Sequence, residues 1–363
     1  MRLRPAPVIA SLALLTGLLV VPHAGAGTPT SAPAFGTTTL FAKVPAPGHA
    51  DSSLVLPDGS VLVSTNRGAT GSTGPSKLFR YAASGALLRT YEVTGQDLAG
   101  DHGVMSMALD KQGRVYVADY SPPRVLRLDL KTGAQSTYAT IPDLPACSGA
   151  AVVAPVGCDN GVPGGPRPDA KPWPDGLAFL ADGRLLVTDL GQGTVFVVAN
   201  GGGAGTVWLQ GPELRSTFGP NQPVVTPAGD LLLDVTASTV PATAGRGVLY
   251  RVAVDAKGAA GSVTQVYATL PGEGPDGFAL GRSGKVYLPT LVTDRVAVVG
   301  PDGVEVASIE APEFDAPSSV TFVGTDVLVT NLTYFSNDKA NDEVLRVAVG
   351  DTGVPALRPA VRR

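Results

Sequence analysis

The chain has 363 residues and a formal net charge of −4, with no basic run, so it lacks the electrostatic footprint of a nucleic-acid binder. Gly (45) and Pro (32) are abundant while apolar residues still make up 44% of the chain. With no helix-period runs, that balance favours many short strands over disorder.

Arg2 and Arg4 precede a nearly unbroken apolar run from Val8 to Val21, and Ala24-Gly25-Ala26 offers a small-x-small cleavage site. The run is shorter than the roughly 20 apolar residues that span a bilayer. We expect residues 1–26 to be an export signal cleaved near Ala26, with a secreted or periplasmic product. Residues 27–37 are then a linker, and no later segment is long and apolar enough to cross a membrane.

From residue 38 a hairpin recurs. Leu54-Val55-Leu56 leads to a turn at Gly59 and Val61-Leu62-Val63. The same order returns around Gly113, Gly183, Gly229 and Gly284, and more weakly around Gly324. These glycines lie 54, 70, 46, 55 and 40 residues apart, close to the roughly 40–50 residues of a propeller blade. Two more strand-like runs follow most hairpins, such as Lys77 to Ala82 with Ala86 to Val93. Four strands per unit is the composition of a blade. The expected fold is an all-β, six-bladed propeller with four-stranded blades around a central channel, over residues 38–350. A pair of β-sandwiches is the alternative, but it would not need six copies of one hairpin. Blade six has three strands of its own. Thr38 to Val44 is a spare strand expected to complete that blade and close the ring, which removes exposed edges. Residues 351–363 are left as a C-terminal tail.

Cys147 and Cys158 lie in the longest gap, within a loop rich in Pro and Gly. In an exported protein such a pair reads as a disulfide; two free thiols are the alternative.

Counting eight residues back from the five clear turn glycines reaches Asp51, Met105, Asp175, Asn221 and Asp276. Ser318 takes the sixth place if that turn is two residues tighter. The innermost strand of each blade lines the channel, so these side chains should converge. Clustered carboxylates cannot all stay ionised unaided. An all-oxygen donor set suits Ca²⁺, with another divalent metal as the variant. The plainer reading makes Asp175 and Asp276 turn residues of Pro-Asp-Gly, but that leaves Asp51 and Asn221 unexplained at the same register.

At these residues the chain resembles the senescence-marker-protein/gluconolactonase (regucalcin) family, and more distantly the paraoxonases. Both are six-bladed calcium propellers with lactonase or esterase members. The resemblance implies that Asn221 and Asp276 are metal ligands, with Asp51 where the family carries a Glu. Asp175 corresponds to a position that contacts metal or substrate. His102-Gly103-Val104-Met105-Ser106 looks like a paraoxonase stretch whose His lies at the channel mouth and is implicated as a base.

A lactone or ester hydrolase follows as the expected function. His102 or Asp276 would be the base, Asp51, Asp175, Asn221 and Asp276 would hold the metal, and Asp175, Met105, His49 and Ser318 would face substrate. Either histidine can instead be a satisfied loop residue. A small-molecule substrate and a monomer are expected, with no nucleic-acid partner. Two alternatives stand beside it: a non-catalytic calcium-stabilised scaffold, and a metal-free propeller resembling strictosidine synthase. Asn331-Leu332-Thr333 is a glycosylation sequon that matters only in a host that glycosylates.

Overall fold

The computed structural model describes residues 32–66, 73–146, 157–159 and 169–362. The expected signal segment, residues 27–31 of the linker and Cys147 lie outside these residues. Among the described residues no helix is long and apolar enough to cross a membrane.

Six antiparallel sheets follow one another along the chain. Blade one comprises Ala50–Val55, Val61–Thr65, Lys77–Tyr81 and Leu87–Glu92. Blade two opens with Val104–Leu109 and Val115–Tyr120, and blade three with Pro174–Phe179 and Leu185–Asp189. Blade four opens with Pro223–Val225 and Leu231–Val235, and blade five with Ala279–Leu280 and Val286–Thr290. Blade six comprises Pro317–Val323, Asp326–Asn331, Glu343–Ala348 and, as its outer strand, Thr38–Lys43 from the other end of the chain. The ring is thus closed by the spare N-terminal strand, and the six-bladed, four-stranded propeller is the fold of this protein. Blade two carries one extra strand, Gly203–Ala204, which reaches back from blade three and pairs parallel with Gln135–Thr140.

The double-sided apolar strands have a physical reason. Six apolar clusters among the described residues sit one at each seam between neighbouring blades. Successive side chains of a strand point to opposite faces, so each second strand feeds two seams at once. Val61 and Val63 pack toward blade six while Leu62 packs toward blade two. Leu185 and Val187 face blade two while Leu186 faces blade four. A strand segment that feeds apolar seams on both faces is apolar at consecutive positions, as in Val61-Leu62-Val63 and Leu185-Leu186-Val187.

Hydroxyls stitch three of the seams near the axis. At the penultimate position of the second strand, Ser64 donates to Met105 O (2.7 Å), Thr330 to Asp51 O (2.8 Å), and Thr188 to Asn221 O. Each bond anchors the backbone of a channel residue on the next blade.

The C-terminal tail is part of the fold. Val354 N donates to Leu280 O, Lys111 N to Pro359 O, and the Arg114 guanidinium to Val361 O. Val361 is buried in the seam between blades two and three. Residues 352–358 thereby cover one end of the channel and roof a cavity of about 430 Å³ lined by Met107, Phe179, Phe278 and Phe322.

Candidate metal centre and channel mouth

The first strand of a blade is where the site begins, and it is irregular. Register shifts fall between Ala50 and Ser53, Val104 and Met107, Pro174 and Leu177, and Pro317 and Ser319. Asp51, Met105, Asp175 and Ser318 sit inside these bulges. A bulge re-aims the side chain it carries. In blades four and five the same place is held by single backbone bonds, Asn221 N to Asp234 O (3.0 Å) and Asp276 N to Pro289 O (3.2 Å).

The structure brings Asp51, Asn221, Asp276 and Met105 to the wall of one cavity of about 310 Å³ at the other end of the channel. Asp175 lies within reach of the same charges. Burial pushes its carboxyl well above the usual range, and the charges of Asp51, Asp234 and Asp189 push it further. Asp276 is raised by burial and then by Asp175, Asp51 and Asp234. Asp51 is pushed up to about 7 by burial, partly offset by the hydrogen bond from Asn66. Four aspartates from four blades therefore compete for ionisation in one desolvated space.

Two of the converging oxygens have no partner among the described residues. Asp175 Oδ2 and Asn221 Oδ1 are buried and make no hydrogen bond. A buried acceptor left unmade costs about 1–3 kcal/mol, and such exceptions call for a ligand. All the donors are hard oxygens, so their chemistry fits a calcium-like cation. Among the described residues no three His, Cys, Asp or Glu side chains are grouped so as to hold a metal by themselves. A cation-holding set here would combine at most two of these carboxylates with other oxygens, for which the unbonded Asn221 Oδ1 is placed.

The orientation of that amide is enforced. Asn221 Nδ2 donates to Asp234 Oδ2 (3.2 Å), to Thr236 Oγ1 and to Pro275 O (3.3 Å). With the nitrogen so engaged, Oδ1 turns to the channel. Asp234 is fully buried, and burial raises its carboxyl to about 7 against hydrogen bonds from Gln222 N and Asn221. It occupies the strand position that carries Ser64, Thr188 and Thr330 in other blades. That a carboxylate replaces a hydroxyl there is the signal that could have marked it. Asn66 serves Asp51 similarly: its Nδ2 donates to Asp51 Oδ2 (3.2 Å) while its Oδ1 accepts from Tyr120 OH (3.1 Å).

Neither histidine joins this group. Both ring nitrogens of His102 meet backbone carbonyls, Gly100 O at 2.8 Å and Gly74 O at 3.0 Å. His49 Nδ1 is 2.9 Å from Leu332 O and 3.0 Å from Thr333 Oγ1, and its Nε2 meets Lys339. Both rings are buried, and neither is part of the cavity wall. Ser318 also departs from its expected substrate-facing place. Its hydroxyl donates to Asp51 O (2.7 Å) and Ala50 O (3.1 Å), tying blade six to blade one. Glu273 reaches the cavity but is neutralised by Arg295, at 2.7 and 3.0 Å.

Residues 234–332, from the second strand of blade four to that of blade six, match the family model described as SMP-30/Gluconolactonase/LRE-like region. The match takes in Asp276 and bears out the family resemblance there; Asn221 lies just before it. The chain is similar to a calcium-binding protein, regucalcin, from Agrobacterium tumefaciens, at 16% identity over 90% of this chain and 99% of that one, with a TM-score of 0.60. It is also similar to a gluconolactonase from Xanthomonas campestris, at 14% identity over 83% and 86% of the two chains, with a TM-score of 0.56. A virginiamycin B lyase from Staphylococcus aureus shares the fold at 13% identity over 81% and 82%, with a TM-score of 0.51. At these identities the solved structures speak for the propeller alone. No curated protein matches the sequence.

Proposed function

We propose that the protein is an exported, calcium-dependent hydrolase of lactones or esters. One observation carries the reading: oxygens from blades one, three, four and five gather at one end of the channel, two of them buried without a partner among the described residues. The family match and the regucalcin and gluconolactonase neighbours support it.

Asp51, Asp175, Asn221 and Asp276 are the residues from which the cation's ligands would be drawn, with no more than two of the carboxylates close enough to serve together. When bound, calcium would polarise the substrate carbonyl and stabilise the oxyanion that forms there. Asp276 is the base. Its Oδ1 accepts from Gly277 N (2.9 Å), which leaves Oδ2 to take a proton from the attacking water. The water oxygen bonds to the acyl carbon, the acyl–oxygen bond breaks, and the proton passes from Asp276 to the departing oxygen. His102 is set aside as the base because its nitrogens are already held by carbonyls. Asn66 and Asp234 position Asp51 and Asn221. The Cys147–Cys158 disulfide, export and a monomeric state belong to the same proposal.

The test is a lactone and ester panel assayed with calcium and with chelator, alongside metal analysis of the purified protein. Calcium-dependent turnover is expected. Bound calcium without turnover on any substrate would instead point to a scaffold.

A further inference from the structure

The walls above the oxygens are of a different character from the floor. Trp173, Leu190, Leu291 and Leu332 line the cavity, and Phe218, Val292, Tyr334 and Phe335 rim it. The rim side chains are conspicuously exposed for their type: Phe218 40%, Val292 54%, Tyr334 45% and Phe335 63%. Tyr334 and Phe335 stack edge to face at 5.2 Å. Among the described residues no Lys, Arg or His stands in the wall, and the charged residues there are Asp51, Asp276 and the neutralised Glu273.

We infer that this mouth selects an uncharged, apolar carbonyl compound, an alkyl- or aryl-substituted lactone or ester, over a sugar lactone or an anionic substrate. The inference rests on the hydrolase reading above and adds the substrate class to it. A polyol entering the cavity would trade water for Leu190, Leu291 and Phe218 and leave the hydroxyls that face them unpaired. Beyond the cation itself, an anion would meet only negative side-chain charge among the described residues of the wall, with no cationic side chain there to receive it. An alkyl chain loses neither, and it covers apolar surface that otherwise faces water. At about 310 Å³ the cavity is at the small end for ligand sites, so a single ring with a short chain fills it.

The experiment is a series of δ-lactones with lengthening alkyl substituents, compared with glucono-δ-lactone, in calcium. Each buried methylene should raise kcat/KM by about fourfold until the cavity is full, and the sugar lactone should be the poorest substrate. Phe218→Ser and Phe335→Ser remove exposed side chains and leave the core intact. Both should flatten the chain-length trend and weaken binding of the neutral apolar fluorophore N-phenyl-1-naphthylamine by about fivefold or more. A flat series, a preference for the sugar lactone, or fluorophore binding unchanged in both variants would overturn the inference. If no lactone is turned over, the hydrolase reading falls separately. Displacement of the fluorophore by cyclic ketones of increasing chain length then decides: stronger displacement by longer chains upholds the apolar mouth, and equal displacement refutes it.

Discussion

Replacing Asp234 by Asn should move two properties in opposite directions. The carboxyl is fully buried and raised from 3.8 to about 7 by desolvation. Below about pH 4 it is neutral folded or unfolded and carries no penalty. Between about pH 4 and 7 the unfolded chain ionises while the folded one stays protonated, so stability falls as pH rises, and the loss is complete above 7. At 1.36 kcal/mol per unit this penalty approaches ~4 kcal/mol at pH 8. The amide removes it. The amide also sets its own NH₂ against Asn221 Nδ2, a clash of donors costing ~1–2 kcal/mol. In chelator the variant should therefore be ~1–2 kcal/mol less stable than the parent at pH 4 and ~2 kcal/mol more stable at pH 8. Asn221 escapes the clash by turning its Oδ1 toward residue 234 and away from the channel. Calcium affinity should then fall by about 10- to 100-fold, the range for groups that orient a ligand. Chemical denaturation across pH 4–8 and calorimetric calcium titration read the two effects. Unchanged calcium affinity, or a stability difference that does not cross over with pH, would refute the reasoning.

Other perturbations separate the remaining roles. Asp276→Asn should lower kcat by roughly 10²- to 10⁴-fold with the fold retained, as expected of a general base. His102→Gln should leave kcat within about threefold, since the ring nitrogens serve backbone carbonyls; a loss of more than tenfold would restore it to the mechanism. In chelator the wild type should lose thermal stability as pH rises from about 4 through 7. Asp51 and Asp234 both rest near 7 in the fold, and Asp175 and Asp276 above the usual carboxylate range, so the folded form holds the extra protons. Calcium should flatten that decline. Truncation after Asp351 strips Val361 from its seam together with the tail's hydrogen bonds and should cost about 2–4 kcal/mol; an unchanged melting temperature would mean the tail merely rests on the surface. Alkylation with and without reductant tests the Cys147–Cys158 pair, whose loss should cost roughly 3 kcal/mol.

The blades could be read from the chain because their burial is double-sided. Val61, Leu62 and Val63 are all apolar since alternate residues serve different seams, and a run of that kind stands out wherever it recurs. The converging oxygens could be read for a related reason. A bulge occupies the same offset before the turn in blades one, two and three, so a fixed count back from the glycine lands on it. In blade six the strand pair Val323–Asp326 turns through two residues instead of five, which is why Ser318 needs a shorter count.

What stayed hidden depends on bonds that no spacing encodes. Asp234 acts on Asn221 thirteen positions earlier, and only the pairing of their strands reveals it. His102 sits in a motif-like stretch, yet a histidine can serve as a base only if a ring nitrogen is free to face the substrate. That depends on where Gly100 and Gly74 place their carbonyls, and both glycines lie in irregular segments. The same limit applied to the mouth: Tyr334 and Phe335 are ordinary loop aromatics until the closing blade carries them over the channel. Chemistry in a propeller is therefore divided between two kinds of position. The repeat sets the floor, where equivalent residues differ by blade, and the connections between strands set the walls, where nothing repeats. A reaction type can be argued from the first kind, but substrate choice and proton transfer require the second.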